Sequence, residues 1–374
     1  MKMNFKVINI LIIFGFIIPF TVSMYINIAA AFANTNVPLP DAGSPVPTEN
    51  VNTKEQKDNL QEPEQPLNEV IEVKDRDVTA DTNTGSIPEK LKDKDVTVKV
   101  FDKGSGNIMN MTLHDYVICA VAGEMPATFE LEALKAQAVA ARTFTVSHLR
   151  SSCSSNASAH VCTYFGCCQA FVSVERMKKN WGSHFEEKYA KITAAVEQTD
   201  SLVMLYNDAP ITVFYFSTSN GYTDACQDVF VRNLPYYKSV ESPGEETASG
   251  YYSYVKISPK EFTDTLYSKL GIKINENELK SSIEITRTDG GRVKSVSFNG
   301  QSVKGTQIRT AFQLRSADFH ITFFDDYILI EVYGYGHGVG MSQLGANYMA
   351  KQGDSFMSIL THYYIDVDVR SFAL

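Results

Sequence analysis

The fold is decided by one long helical stretch near the middle of the chain, which reads ELEALKAQAVAARTFTVSHL over residues 130–149. Within it, apolar and small residues recur three or four positions apart, as one face of a helix requires: Leu131, Leu134, Ala138, Ala141 and Thr145. Pro126 lies just before the stretch, where a proline is compatible with a helix start. The stretch therefore predicts an α-helix over residues 130–149.

Helices and strands are predicted on both sides of this helix, without an internal repeat. Before it, the valine-rich alternation of residues 96–101 predicts a strand, and Thr112 precedes a short capped helix that ends at Ala122. After it, the patterns predict helices over 184–199, 261–270 and 341–352, hairpins over 202–216 and 283–298, and paired strands over 319–333. The predicted class is α+β, with mixed helices and mostly antiparallel sheet, and with a smaller lobe at about 250–317 inserted into a larger one.

The N-terminal residues have the composition of an exported, tethered protein. Lys2 and Lys6 precede an almost uncharged apolar run over residues 7–33, which is typical of an export signal. The run exceeds the roughly 7 to 15 residues of a cleaved signal core and reaches the about 20 residues of a spanning helix. A single-pass membrane anchor over residues 1–33 is therefore favoured, and secretion after cleavage near Ala33 is the alternative.

Residues 34–94 predict a disordered spacer. They are rich in Pro, Asp, Glu, Asn and Thr, with few large apolar residues and no aromatic one, so they cannot bury enough surface to fold. The folded, extracytoplasmic domain is then expected over residues 95–374. The net charge of −9 argues against a nucleic-acid partner, which would require a basic face.

Glu124 is the residue whose position best predicts chemistry. It follows a glycine and precedes Met125-Pro126, where a helix stops and the backbone turns among apolar neighbours. Partial desolvation raises the pKa of a glutamate, which can then stay protonated near neutral pH and donate its proton to a leaving oxygen. The alternative is an exposed carboxylate at a helix end, which is where most glutamates lie.

Three separated motifs, in this order, resemble the stage II sporulation protein D family of lytic transglycosylases. They read VAGEMP (121–126) followed by EALKAQAVAART (132–143), then FSTSNGYT (216–223), then GYGHGVGMSQLGA (334–346). The resemblance extends from about residue 96 to the C-terminus. It implies cleavage of the MurNAc-GlcNAc bond in peptidoglycan glycan strands, with a 1,6-anhydro-MurNAc product and a preference for peptide-stripped glycan. It also implies a role in engulfment during endospore formation, beside a partner wall hydrolase in a membrane complex.

A lytic transglycosylase needs one carboxyl group where ordinary glycosidases need two. The C6 hydroxyl of the muramic acid attacks C1, so no second carboxylate has to activate water or form a covalent intermediate. The resemblance thus assigns both proton transfers to Glu124, first as the acid and then as the base.

Other polar residues are predicted to contact the substrate. Arg142 lies in a run of alanines, so if buried it needs a partner, either Glu124 or a substrate carbonyl or carboxylate; an exposed helix arginine is the alternative. A turn at a strand end carries hydroxyl and amide groups suited to sugars, or is simply a turn: Ser217, Thr218, Ser219 and Asn220.

The glycine-rich turn around His337 presents that histidine, Ser342 and Gln343 at a helix start. His337 could bind sugar or orient Glu124, and a packed core histidine is the alternative. The resemblance adds Tyr236 and Lys238 as residues of the substrate groove.

The six cysteines allow two interpretations: Cys119, Cys153, Cys162, Cys167, Cys168 and Cys226. An even number in an exported chain predicts disulfides. However, adjacent cysteines rarely bond each other without strain, and thiolates beside an imidazole are good zinc ligands. We therefore expect Zn²⁺ held by His160, Cys162 and Cys168, with Cys153 competing for the place of His160; the resemblance implies zinc in this loop too. Cys119 and Cys226 are expected to be buried thiols.

Two other functions remain open from sequence. One is a zinc-dependent peptidoglycan amidase in which His337 and the Cys/His loop hold a catalytic metal, although thiolate-rich sites tend to be structural. The other is a non-catalytic cell-wall-binding module on a stalk, which the nineteen tyrosines of the chain would also fit.

Overall fold

A computed structural model describes residues 92–230, 232–246 and 248–371. The predicted anchor over 1–33 and nearly all of the predicted spacer over 34–94 lie outside the described residues. Within these ranges, no helix is both long enough and apolar enough to cross a membrane.

The chain before the second core forms short strands and half of the α-helices named here. In order they are β1 (Thr97–Phe101), β2 (Ile108–Thr112), α1 (Leu113–Glu124), α2 (Leu131–His148), β3 (Val161–Cys162), α3 (Val174–Trp181), α4 (Phe185–Glu197), β4 (Leu202–Tyr206), β5 (Ala209–Pro210), β6 (Tyr215–Phe216) and α5 (Cys226–Val229).

The remainder contributes a second group of strands and then returns to the first core. In order the elements are β7 (Tyr252–Ile257), α6 (Pro259–Leu270), α7 (Leu279–Ser282), β8 (Ile283–Arg287), β9 (Val293–Phe298), β10 (Gln301–Lys304), α8 (Gly305–Ala311), β11 (Asp318–Phe323), β12 (Ile328–Tyr333), β13 (Met341–Ser342), α9 (Gln343–Lys351), α10 (Phe356–Tyr363) and β14 (Asp368–Ser371).

The long helix predicted from sequence is α2, at the centre of the first core. Its residues 136–143 are buried around the whole circumference of the helix, and it packs against α1, α4, α9, α10 and β4. Alanine side chains leave room for such close approach on every side. The alanine-rich composition thus explains how this helix can be buried on all sides.

Among the described residues, three small sheets lie around this helix and two others lie around a second core. The orders are β2-β1-β3, β5-β4-β14 and β6-β13 around the first core, and β8-β9-β10 and β7-β12-β11 around the second. The pairs β1-β3 and β6-β13 are parallel, and the other described ladders are antiparallel. The α+β class predicted from sequence, with mostly antiparallel sheet, is confirmed.

The second core is built by residues between β7 and β12. Its buried members include Phe262, Leu266, Val296, Phe298, Phe319 and Ile330. The strands β11 and β12 belong to this core, so it extends past the boundary of about 250–317 predicted for an inserted lobe. After β12 the chain returns to the first core, which contains Val339, Met341 and Ala346.

Candidate active site

Glu124 is the last residue of α1 and is half-buried. Its Oε1 accepts a hydrogen bond from the backbone N–H of Ala170 at 2.6 Å. Gly123 makes this contact possible, because a Cβ at that position would lie 2.7 Å from the carbonyl carbon of Ala170. The glycine before Glu124 therefore lets the loop that follows the cysteines lie directly against the end of α1.

Tyr215 and Gln169 form the rest of the surroundings of this carboxyl. The Tyr215 hydroxyl donates to Gln169 Oε1 at 2.9 Å and lies close to the Glu124 carboxyl. Burial, followed by the charge of Glu124, raises the pKa of Tyr215 well above its ordinary value, so the phenol keeps its proton. Sequence reasoning missed both residues, because neither has a local pattern that marks it.

The buried amide of Gln169 is fixed in one orientation. Its Nε2 faces the Ala141 carbonyl at 3.5 Å, the Thr145 hydroxyl at 3.3 Å and the Tyr116 hydroxyl at 3.4 Å. A carbonyl only accepts, so the amide nitrogen has to point toward α2 and Oε1 toward Tyr215. The amide of Gln169 therefore holds the Tyr215 hydroxyl in a fixed position beside the Glu124 carboxyl.

The three sequence motifs meet beside this carboxyl. β6, which contains Tyr215, pairs in parallel with β13, the strand that follows the glycine-rich turn. In that turn Gly336 has a φ of 117°, and a Cβ there would lie 2.7 Å from the Cβ of Phe216. The glycine is thus required both by its backbone conformation and by the close approach of the strand that presents Tyr215 to Glu124.

Most of the hydroxyl-rich turn after β6 faces the protein interior, against the prediction that it binds sugar. Thr218 and Ser219 are buried, and Ser219 Oγ donates to the Tyr222 carbonyl at 2.7 Å. Asn220 Nδ2 donates to Gly290 O at 2.9 Å and to Asp318 Oδ2 at 3.0 Å. These groups hold the two cores together, and Ser217, which is half-buried, stays the predicted sugar contact of this turn.

Ser342 and Gln343 are also buried, which does not favour their predicted role at the substrate. The reason is a carboxyl that sequence reasoning missed. Glu245 Oε2 accepts from Ser342 Oγ at 2.7 Å and from the Ser219 backbone N–H, and Oε1 accepts from Ser242 Oγ at 2.5 Å. The interaction joins three segments far apart in the chain, which no local pattern could reveal.

Glu245 should make stability depend on pH. Burial raises its pKa to about 7, so the folded protein holds this proton more tightly than the unfolded chain does. The corresponding stability is present below about pH 4.5 and is lost as the pH rises through about 7. Glu245→Gln keeps an acceptor oxygen and never ionises, so its free energy of unfolding relative to wild type should increase by about 3 kcal/mol over this range. Urea unfolding at several pH values measures this; parallel profiles for the two proteins would contradict it.

His337 lies among aromatic rings, as the alternative of a packed core histidine expects. Its ring centroid is 5.9 Å from that of Phe214, 5.7 Å from Phe216 and 5.4 Å from Phe230. Burial, assisted by the charges of Arg309 and Arg292, lowers the pKa of His337 to about 3. The histidine is therefore neutral at physiological pH, and these surroundings favour a packing role over binding sugar.

The two residues that the resemblance assigned to the groove differ in exposure. Tyr236 is buried, and its hydroxyl accepts from the Thr212 backbone N–H at 3.0 Å, which favours a packing role over a groove role. Lys238 is exposed, with its Nζ 4.0 Å from a carboxylate oxygen of Asp366. Its predicted contact with substrate stays a prediction.

Arg142 is buried as its alanine-rich surroundings suggested, but its predicted partner is wrong. Its Nε donates to both carboxylate oxygens of Asp93, at 2.9 and 2.7 Å, and its Nη2 to the Val196 carbonyl at 3.2 Å. Asp93 is 2 % exposed, although the sequence placed it in the spacer. This ion pair therefore holds α2, the end of α4 and the segment before β1 together.

Replacing Arg142 with alanine should lower the free energy of unfolding by about 3–5 kcal/mol, because the buried Asp93 carboxylate would lose its partner. Urea denaturation measures the effect. Lys94→Ala is the matched control, since it breaks an exposed pair with Glu197 at 3.3 Å and should cost less than about 1 kcal/mol. A variant that kept its stability but lost activity would restore the original assignment to substrate.

Four cysteines lie close together in the loop that precedes Ala170, the residue whose backbone N–H contacts Glu124. The Sγ atoms of this four-cysteine cluster all lie within 4.8 Å of one another: Cys153, Cys162, Cys167 and Cys168. Individual separations are 3.4 Å between Cys153 and Cys167, and 3.7 Å from Cys168 to each of these. A tetrahedral zinc with Zn–S bonds of about 2.3 Å needs sulfur atoms about 3.8 Å apart. The donor set therefore fits a closed, four-thiolate zinc site.

His160 lies outside this cluster, which contains the predicted Cys162 and Cys168 together with Cys153, the competitor of His160, and Cys167. Its Nδ1 accepts a hydrogen bond from the Lys99 backbone N–H at 3.1 Å, which ties it to β1. Cys119 and Cys226 are buried away from the cluster, as predicted.

Comparison with known proteins gives matches over most of the described chain. Residues 102–206, which contain Glu124 and the four-cysteine cluster, match the family model described as "Stage II sporulation protein". The chain is 40% identical over 280 residues to stage II sporulation protein D of Bacillus amyloliquefaciens, covering 75% of this chain and 80% of that protein. It is 39% identical over 277 residues to the protein of the same name in Bacillus subtilis strain 168, covering 74% and 79%. An amidase enhancer of Bacillus subtilis strain 168 is 28% identical over 302 residues, which is 67% of this chain and 40% of that protein.

Proposed function

The chain belongs to the stage II sporulation protein D family, and from that premise we propose that it is a lytic transglycosylase acting on peptidoglycan glycan strands. The observation that carries the proposal is the half-buried Glu124, held by the Ala170 backbone N–H and the Tyr215 hydroxyl. In the proposed reaction Glu124 protonates the oxygen that leaves the muramic acid C1. It then takes the proton of the C6 hydroxyl as that oxygen attacks C1, which closes the 1,6-anhydro ring.

The contacts of Tyr215 support the first of these steps. Gln169 fixes the neutral phenol beside the carboxyl, and in the proposed resting enzyme the half-buried Glu124 is protonated, because removal from water favours the neutral form of a carboxylic acid. The Ala170 N–H supports the second step, since a backbone donor stabilises the Glu124 carboxylate left after proton transfer.

The proposal includes a structural Zn²⁺ held by the four-cysteine cluster. When bound, the metal would cross-link the loop and leave no open position for catalysis, as in other closed thiolate sites. The backbone N–H of Cys162 donates to Cys168 Sγ at 3.3 Å, a contact that suits a thiolate acceptor. Ala170 follows Cys168 by two residues and its backbone N–H contacts Glu124. A metal that fixes this loop would therefore also fix the position of that contact.

The cellular role is proposed from family membership and from the N-terminal sequence. We place the catalytic domain outside the membrane, tethered through residues 1–33 or secreted after cleavage, and acting in engulfment during spore formation. Peptidoglycan stripped of its peptides would be supplied by a partner wall hydrolase in the same membrane complex.

Mass spectrometry of digested cell wall separates the proposal from its alternatives. Anhydro-muramyl strand ends are the expected product. Freed stem peptides would instead indicate an amidase, and intact strands that remain bound would indicate a wall-binding module. The surroundings of His337, packed among three aromatic rings, do not favour its use as a ligand of a catalytic metal.

A further inference from the structure

One face of the sheet β7-β12-β11 carries a group of aromatic side chains that is open to solvent. Tyr252 and Tyr254 on β7 are 46% and 62% exposed, and the imidazole of His320 on β11 is 54% exposed. The Tyr333 ring, on the central strand, lies 5.5 Å from that of Tyr252 and 5.7 Å from that of His320 between centroids. We call Tyr252, Tyr254, Tyr333 and His320 the aromatic face.

Packing of the second core does not account for these side chains. Alternate residues of a strand point to opposite faces of the sheet, and on β7 it is Val255 and Ile257 that pack against the second core. Tyr252 and Tyr254 point the other way. Contiguous exposed aromatic side chains of this kind often mark a binding site, whereas single exposed ones are common.

Polar groups lie between the rings. Glu331 stands opposite Tyr254 on one side and opposite His320 on the other, and its Oε1 accepts from the Tyr252 hydroxyl at 3.0 Å. Arg287 Nη2 lies 3.4 Å from the His320 ring. Rings with polar tips suit a ligand that is apolar on its flat face and polar at its rim. A pyranose ring has this character. Arg287 also pairs with Asp318 at 2.8 Å, so the polar rim carries both charges and offers hydrogen-bond donors and acceptors to sugar hydroxyls.

Tyr251 links the aromatic face to the segment that contains Tyr215. The Tyr251 ring contacts Tyr333 at 6.0 Å between centroids, and its hydroxyl donates to the Asn220 carbonyl at 3.5 Å. Asn220 follows Tyr215, the partner of Glu124, by five residues, which span at most about 18 Å. A polymeric substrate bound at Glu124 can therefore reach the face within a few sugar units.

Resting on the proposed function, we infer that the aromatic face binds the glycan strand at sugars remote from the cleaved bond, and so makes the enzyme prefer long strands. The occupant is the polysaccharide itself. A protein partner, which could also cover exposed tyrosines, is the competing outcome of the test.

The test measures binding of the full chain to peptide-stripped glycan strands by co-sedimentation, with Glu124→Gln present in every protein so that strands stay intact. Adding Tyr252→Ala and Tyr254→Ala should weaken binding about tenfold, since each ring contributes about 0.5–1.5 kcal/mol. Tyr267→Ala is the matched control, because Tyr267 is 63% exposed on α6 but lies outside the face. It should leave binding unchanged.

Binding by the double variant equal to that of the control would overturn the inference and leave the face to a protein partner. In active enzyme, the double variant should lose kcat/KM on long strands and keep it on a tetrasaccharide; equal losses on both would also overturn it. If strand binding depends on the two tyrosines but wild-type enzyme makes no anhydro ends, the inference stands and the proposed activity fails.

Discussion

Glu124→Gln is expected to lower the rate of glycan cleavage by about 10²–10⁴-fold, the usual contribution of general acid–base catalysis. Glutamine keeps the oxygen that accepts from the Ala170 N–H at 2.6 Å, and it matches the volume of glutamate. It cannot give a proton to the leaving oxygen or take one from the C6 hydroxyl. Release of soluble fragments from peptide-stripped peptidoglycan measures the rate.

The control for this substitution is Glu130→Gln, which removes an exposed carboxylate six residues further along. It should retain wild-type activity, and the free energy of unfolding of both variants should stay close to that of wild type. Cleavage by Glu124→Gln at the wild-type rate would show that another group carries the proton.

Cys162→Ser is expected to remove bound zinc and, with it, much of the order of the loop. Structural zinc sites bind with apparent free energies of about 10–16 kcal/mol, and that binding energy stabilises the fold. Elemental analysis should therefore fall from about one zinc per chain to nearly none. Activity should fall too, because the Ala170 N–H that contacts Glu124 belongs to the same loop.

Cys226→Ala is the matched control for the metal, since Cys226 is a buried thiol outside the four-cysteine cluster. It should keep its zinc while losing some stability through the lost packing. Full zinc retention in Cys162→Ser, or zinc absent from the wild-type protein, would return the cysteines to a disulfide interpretation.

Sequence reasoning succeeded where the signal is local. The helical periodicity of residues 130–149 predicted α2 to within one residue at each end, because a helix with a periodic apolar face is specified by neighbours along the chain. The Gly-Glu-Met-Pro order likewise located the turn where Glu124 stands, since Gly123 is required by the approach of Ala170.

Sequence reasoning failed where side chains find partners far away in the chain. Arg142 pairs with Asp93, 49 residues earlier, and Ser342 bonds to Glu245, 97 residues earlier. Polar residues of a motif were expected to meet substrate, but several of them meet the protein's own buried carboxyls instead. The Tyr215–Gln169 contact, 46 residues apart, was out of reach for the same reason.

In the proposed mechanism, one carboxyl group activates the sugar's own C6 hydroxyl as the nucleophile. Digestion in oxygen-18 water tests this step most directly. The attacking oxygen then comes from C6 of the muramic acid, so the new strand ends should be anhydro ends that contain no oxygen-18. New reducing ends that carry the heavy isotope would show that water attacks C1, and would contradict the account.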